Sequence, residues 1–278
     1  MTAVLPLPTS LAISRDVAIA LAAAREAGAT ALQMQAGITT TRKEDGSPVT
    51  PGDLAADAII RHHLGLHLPD DAILSEECAD DAARGASQRL WIIDPIDGTS
   101  DYAAGADEWA VQVALAVDGR LALGVLDMPG QGVCLVGVPG QGAWSISAAG
   151  VAPLWPDLGG AGVLIASASR RNREAVARVR GALPEFSSYD ATSVGIKVWR
   201  ILSGVAGLYV HPRTIAEWDA AAPAAVLLAA GGHATDLGGG ELVFNTAGGR
   251  CPGLVFSTRP DHAELIARMR SGGVALTG

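Results

Sequence analysis

Residues 91–99, Trp91-Ile92-Ile93-Asp94-Pro95-Ile96-Asp97-Gly98-Thr99, join an apolar stretch to two acids separated by a Pro-Ile spacer and followed by a glycine. The apolar stretch reads as a buried strand. An unpaired carboxylate beside such a strand is costly, so the acids are more than a solvated face. Carboxylates at a strand end suit hard cations such as Mg²⁺, which prefer oxygen ligands and are often held through substrate phosphate as well. Gly98-Thr99 can turn the chain into a helix whose first amides face outward, a natural seat for that phosphate. The run points to metal-assisted chemistry on a phosphate ester.

The rest of the composition narrows the setting. With 278 residues, 49% of them apolar and only 18% charged, the chain can bury a large core and is not disordered. It is long enough for one large α/β domain or two closely packed ones. A net charge of −9 offers no basic footprint for a nucleic-acid polymer, so an anionic substrate would need local cations. Cys78, Cys134 and Cys251 follow no metal-ligand spacing and read as reduced thiols. Arg15, Asp16, Arg25 and Glu26 interrupt the Ala-rich start, which therefore lacks the form of a signal peptide. Residues 128–156 are uncharged, but Gly and Pro recur as strand-and-turn punctuation and exclude a membrane span. A cytoplasmic protein without membrane partners is expected.

Helical periodicity covers 11–35, with Leu11, Val17, Leu21, Ala24 and Leu32 near one face and Ser14 near the start. The polar stretch 41–52 reads as a mobile loop, followed by a helix from Asp53 to Leu68 and a short strand at Ala72–Leu74. Val111–Val117 and Leu121–Leu126 read as a hairpin turning at Asp118-Gly119, with further strands at 133–138 and 142–146. Beyond 160, a strand at Val163–Ala166 and helices at 172–181 and 194–203 precede a strand at Leu208–Val210. Helices at Glu217–Ala230 and 261–270 follow, so strand and helix now alternate. The change suggests a two-part α/β assembly, an N-terminal half over 1–150 and a C-terminal half over 151–278.

Further acids stand where strands end or helices begin: Asp53, the pair Glu76-Glu77, and Asp219 within Glu217-Trp218-Asp219. Singly, Asp53 suits a helix N-cap, Asp219 a first-turn acid, and Glu76-Glu77 a solvated pair. Together, Ser75-Glu76-Glu77, Asp94-Pro95-Ile96-Asp97-Gly98-Thr99 and Trp218-Asp219 resemble the inositol monophosphatase-like superfamily of Mg²⁺-dependent, Li⁺-sensitive phosphatases, in order and spacing over nearly the whole chain. The resemblance implies an α/β (α+β) fold, a layered αβαβα sandwich with the site between its halves, and makes a homodimer plausible. It also implies two or three Mg²⁺ ions on Glu76, Asp94, the carbonyl of Ile96, Asp97 and Asp219. Asp53 would help hold the attacking water, Thr99 would orient it, and the amides of Gly98 and Thr99 would cradle the phosphate. Asp219 would also stand near the leaving group.

Within that superfamily, Asp45-Gly46-Ser47-Pro48-Val49-Thr50, Ser193-Val194-Gly195-Ile196-Lys197 and Glu217-Trp218-Asp219-Ala220-Ala221-Ala222-Pro223 look most like the 3′(2′),5′-bisphosphate nucleotidases of the CysQ type. Ser193 and Lys197 would then bind substrate, with Lys197 meeting the second phosphate of 3′-phosphoadenosine 5′-phosphate. Ser167-Ala168-Ser169-Arg170-Arg171 stands where those enzymes often carry Ser-Arg-Ser-His, so Arg170 (or Arg171) would replace the histidine beside a substrate-binding Ser167, a solvated helix start being the structural alternative. Asp107-Glu108 fits an anionic substrate only if it faces away. An inositol, sugar or histidinol phosphate phosphatase is the alternative, and a silent metal- or nucleotide-binding scaffold the reading from another class. His63 and His67 read as exposed and Gly238-Gly239-Gly240 as a turn into a strand at Glu241–Asn245, with Phe244 either stacking on a base or filling core.

Overall fold

A computed structural model describes residues 15–44, 46–156, 162–167 and 172–274. The Ala-rich start forms helix α1 (Arg15–Met34), which buries Val17, Leu21, Ala24 and Ala31 on one face. Leu11, Ser14 and Asp45 lie outside the described residues. Part of the 41–52 stretch closes as a hairpin ladder of β1 (Thr41–Arg42) on β2 (Pro48–Val49). Helix α2 (Pro51–His67) is entered through a capping box, in which Thr50 Oγ1 accepts from the amides of Gly52 and Asp53 while Asp53 Oδ2 accepts from Thr50 N. Thr50, not Asp53, is therefore the N-cap.

Strands β3 (Ala72–Ser75) and β4 (Arg89–Asp97), helix α3 (Thr99–Ala103), then β5 (Ala110–Val117), β6 (Arg120–Met128), β7 (Val133–Val138), β8 (Gly142–Ser147) and β9 (Gly150–Pro153) follow. They make a seven-stranded sheet in sequence order, parallel only between β3 and β4. Asp118 and Gly119 take positive φ at the expected β5–β6 turn, as a two-residue hairpin loop demands.

The later part comprises β10 (Val163–Ser167), α4 (Arg173–Ala182), β11 (Ser187–Ala191), α5 (Val194–Leu202), β12 (Leu208–His211) and β13 (Ile215–Ala216). Helix α6 (Glu217–Ala229), β14 (His233–Thr235), β15 (Arg250–Cys251), β16 (Leu254–Ser257) and α7 (His262–Ser271) complete it. A five-stranded mixed sheet runs β11-β10-β12-β16-β14. Glu241–Asn245 is not a strand: it makes one bridge, Thr235 with Glu241, and Phe244 is buried in the core.

Alternation along β4 sets the layering. Trp91 and Ile93 pack with α1 and α2, while Leu90 and Ile92 pack with α5, α6 and the second sheet. Helices α4 and α7 cover the far side of that sheet through Val179, Leu265 and Met269. The result is the αβαβα sandwich. Helix α6 reaches the large sheet closely because Gly124 and Gly137 have no side chain: a Cβ would stand 2.7 Å from Ala222 O and 2.5 Å from Val226 Cα respectively. That close seat brings the start of α6 to the end of β4. Among the described residues no helix is long and apolar enough to cross a membrane.

Candidate active site

Residues three apart on a regular strand point to opposite faces, so an ideal β4 would separate Asp94 from Asp97. The ladder to β5 holds through Asp94 opposite Gln112, then shifts and resumes at Asp97 opposite Ala110. The irregularity falls at Pro95-Ile96, where proline has no N–H for the ladder. Asp94 and Asp97 thereby converge with Asp219, from the first turn of α6, each offering an oxygen within 4.8 Å of the others.

Asp94 is buried, and its Oδ1 has no hydrogen-bond partner in the protein. Burial and then the charges of Glu76, Asp97 and Asp219 push its carboxyl well above the usual range. Burial also raises Asp97, opposed by the Gly195 amide, Ser193 and Lys197. Asp219 is pushed up to about 8 by burial, Asp97 and Glu76. An all-oxygen, anionic set with an orphaned buried oxygen fits a hard divalent cation. Among the described residues this trio is the one group of Asp, Glu, His or Cys side chains that can hold a metal ion together.

Glu76 lines the same cavity, about 210 Å³, but stands apart from the trio. Its Oε1 lies 2.9 Å from Lys43 Nζ, which also contacts Glu77 Oε1 at 2.7 Å. Burial, with Glu76 and Asp53 nearby, pushes Glu77 up to about 7 against the pull of Lys43. Lys43 belongs to the loop of the β1–β2 hairpin, and no motif marks it in the sequence.

Asp53 is wholly buried, with Oδ2 accepting from Thr50 Oγ1 at 2.5 Å and Oδ1 accepting from Thr99 Oγ1 at 3.0 Å. Thr99 Oγ1 lies equally near the carbonyl of Ile96, at 3.0 Å, so Asp53, Ile96 and Thr99 meet at one corner. Gly98 has φ +97° at the start of α3, and a Cβ there would stand 3.2 Å from Glu108 O. Only glycine takes that turn without strain, and it leaves the first amides of α3 without intrahelical acceptors.

A second cavity, about 350 Å³, shares Asp97, Thr192 and Asp219 with the first. Its walls include Ser167, Lys197, Tyr209, His211, Arg213 and Arg250. Lys197 is buried, donates to Thr192 O at 2.5 Å and lies 4.8 Å from the Tyr209 ring centre. Burial draws its pKa down to about 8, against the support of Asp97 and Asp219. Ser193 differs from expectation. Its hydroxyl donates to Asp97 Oδ2 at 2.7 Å and accepts from Ile196 N, capping α5, so it holds Asp97 and does not line either cavity. Arg170, with Ala168, Ser169 and Arg171, lies outside the described residues. Arg213 and Arg250 escaped the sequence reasoning because neither belongs to an acidic motif; proximity to Glu217-Trp218-Asp219 was Arg213's one signal. Glu108 is engaged by Arg200 at 2.9 Å, and His63 by Glu26 at 2.8 Å.

A layered αβαβα fold with a carboxylate-lined cleft beside a cationic annex suits metal-assisted chemistry on a phosphate ester. The chain belongs to the inositol monophosphatase family, whose model matches residues 13–273. It is 35% identical over 221 residues to the 3′-phosphoadenosine 5′-phosphate phosphatase of Mycobacterium tuberculosis, covering 77% of this chain and 79% of that protein. It is 32% identical over 227 residues to the 3′(2′),5′-bisphosphate nucleotidase CysQ of Escherichia coli, covering 80% and 90%. Similar solved structures are the Thermotoga maritima IMPase (TM-score 0.76, 22% identity, 93% of this chain and 97% of that one) and CysQ from Bacteroides thetaiotaomicron (TM-score 0.74, 24% identity, 89% and 98%). The protein is thus a phosphoric monoester hydrolase of a metal-dependent family.

Proposed function

We propose that the protein is a Mg²⁺-dependent 3′(2′),5′-bisphosphate nucleotidase that converts 3′-phosphoadenosine 5′-phosphate to AMP and phosphate. The observation that carries this reading is the second cavity: a buried lysine, two arginines and an aromatic ring stand directly beside the carboxylate trio. A monophosphate substrate gives such a wall little to bind. The Mycobacterium tuberculosis relative, named for this substrate, and the Escherichia coli relative, named as a 3′(2′),5′-bisphosphate nucleotidase, support the same choice.

Glu76, Asp94, Asp97, Asp219 and the carbonyl of Ile96 would hold two or three Mg²⁺ ions, which would neutralise phosphate oxygens and make a bound water more acidic. At Glu76, Lys43 contacts Oε1 at 2.9 Å and so shares that carboxylate with any ion it would hold. Thr99 Oγ1, held by Asp53 Oδ1 at 3.0 Å, orients the attacking water and relays its proton to Asp53. The amides of Gly98 and Thr99 receive the phosphate oxygens at the start of α3. As the bond from phosphorus to the 3′-oxygen breaks, Asp219 supports protonation of the leaving oxygen. Lys197, Ser167, Arg213 and Arg250 bind the 5′-phosphate through charge-assisted hydrogen bonds. Three free thiols are consistent with work in a reducing cytoplasm.

The test is phosphate release from 3′-phosphoadenosine 5′-phosphate, inositol 1-phosphate, fructose 1,6-bisphosphate and histidinol phosphate, with Mg²⁺ and with added Li⁺. The bisphosphate nucleotide is expected to give the highest kcat/KM. Lys197→Met should raise its KM by about 100-fold, the scale of a lost charged hydrogen bond, and leave inositol 1-phosphate nearly unaffected. Preference for inositol 1-phosphate overturns the substrate choice, and no turnover on any ester overturns the reading as a phosphatase of this class of ester.

A further inference from the structure

We propose that Arg84, Asn245 and Glu217 form a polar clasp that sets the position of the Asp219 side of the cleft against the Glu76 side, making all three positioning residues for metal binding. The inference rests on the proposed role of the carboxylates as metal ligands.

The trio joins two separately held limbs. Asp94 and Asp97 belong to β4, whereas Asp219 is the third residue of α6 and depends on where that helix begins. Its first residue, Glu217, is wholly buried. Glu217 Oε2 accepts from Asn245 N at 2.9 Å, and Oε1 accepts from Thr246 N at 2.8 Å and Thr246 Oγ1 at 2.5 Å. Its own amide donates to Gly249 O at 2.9 Å. The helix start is therefore tied to the 245–249 loop from both backbone and side chain.

That loop is in turn tied to the turn that follows β3, the strand leading to Glu76. Asn245 takes φ +61°, and its Oδ1 accepts from Arg84 Nη1 at 2.8 Å. Its Nδ2 lies 3.1 Å from both Arg84 O and Ser87 O, while Arg84 Nη2 donates to Thr246 O at 3.1 Å. Arg84 is itself fixed by a two-pronged contact with Asp80, at 2.5 and 2.8 Å. It sits in the 3₁₀ turn Ala82–Ala86, which follows β3 and Glu76 along the chain. None of the three residues lines the two cavities of the site, so none touches the reacting atoms.

The chemistry explains why the joint is polar. An apolar joint would hold the limbs together, but its packing tolerates sliding, whereas a fully connected hydrogen-bond network admits one geometry. Mg²⁺ demands near-ideal octahedral ligand placement. Losing a partner that orients metal ligands costs 10- to 100-fold in metal affinity or activity as a rule.

The test uses the whole chain. Mn²⁺ binding is followed by the electron-paramagnetic signal of free Mn²⁺, half-saturating Mg²⁺ by activity, and folding by thermal melts. Asn245→Ala and Arg84→Lys are expected to weaken Mn²⁺ binding by about tenfold or more and to raise half-saturating Mg²⁺ by the same factor. At saturating Mg²⁺, kcat and KM should stay within about threefold of wild type, since the residues act through ligand placement alone. Glu217→Gln keeps one carboxamide oxygen and should fall between. Thr235→Val removes a remote 3.0 Å contact to His262 Nε2 and controls for lost stability, with Mn²⁺ affinity unchanged. Unchanged Mn²⁺ affinity in folded Asn245→Ala and Arg84→Lys overturns the proposal; should Asn245→Ala fail to fold, Arg84→Lys alone decides. Failure of the underlying metal reading looks different: Asp94→Asn would then bind Mn²⁺ as tightly as wild type.

Discussion

Replacing Asp219 by asparagine should stabilise the metal-free protein while removing its catalysis. Asp94, Asp97 and Asp219 offer oxygens within 4.8 Å of one another. Two unit charges about 4.8 Å apart repel by about 3.5 kcal/mol at an effective dielectric near 20. Burial first, and then the charges of Asp97 and Glu76, push the Asp219 carboxyl up to about 8, so that in the metal-free protein it holds its proton at neutral pH. Keeping an ordinary carboxyl protonated at neutral pH costs about 1.4 kcal/mol for each pH unit above its unfolded pKa, or about 4 kcal/mol at pH 7. Asparagine keeps the shape without the titration. Because relaxation and penetrating water reduce the penalty, the expected gain is about 2–4 kcal/mol, a rise of about 3–7 °C in melting temperature. The folded chain holds a proton that the unfolded chain releases, so wild-type stability falls as pH rises from the ordinary carboxylate range toward about 8. The advantage of the variant should therefore vanish near pH 4. Mg²⁺ should favour the wild type by about 2.7 kcal/mol at 100 times its Kd and leave the variant almost untouched. Calorimetric melts from pH 4 to 8, in EDTA and in Mg²⁺, measure all of this. A variant no more stable than wild type in EDTA at pH 7, or one whose advantage ignores pH, refutes the reasoning.

Three further outcomes are expected. Thr99→Ala should lower kcat by about 100-fold or more, the usual scale for a lost proton-transfer group, with half-saturating Mg²⁺ unmoved in steady-state assays. Gly98→Ala should cost about 1–2 kcal/mol in denaturant melts, because a side chain at φ +97° is strained and its Cβ would press on Glu108 O. Burial, with His233 adding to it, draws His262 down to about 4, where its ring contacts Ser257 Oγ and Thr235 Oγ1. The unfolded chain takes up a proton that the folded chain refuses, so this histidine's contribution is lost as pH falls from about 6.5 toward 4. Urea melts at pH 4.5 and 7 should show a smaller acid loss for His262→Gln than for wild type.

Much of the fold was legible because the elements carry local signals. The β5–β6 hairpin combines apolar runs with Asp118-Gly119, residues that tolerate the positive φ of a tight loop. Elements without such signals were missed or misplaced. β16 is four residues long, and its apolar run Leu254-Val255-Phe256 is too short to mark a strand by itself, so its pairing with β12 and β14 defines it. Glu241–Asn245 has the composition of a strand, yet Asn245 turns at φ +61° and gives its amide to Glu217. A carboxylate far away in the chain overrode the local preference.

The sequence by itself determined the chemistry available: which acids exist, their order, and the proline and glycine that bracket Asp97. Side-chain type and local backbone preference are properties of a few adjacent residues, so they can be read along the chain. Only the tertiary structure decided which groups meet. The shift at Pro95-Ile96 turned Asp94 and Asp97 to one side, and the close seat of α6 on Gly124 and Gly137 brought Asp219 to them. Lys43 came to lie on Glu76, and Ser193 turned to Asp97 rather than to a cavity. Such meetings depend on packing and register summed over the whole molecule, and no local pattern encodes a distance between residues so far apart.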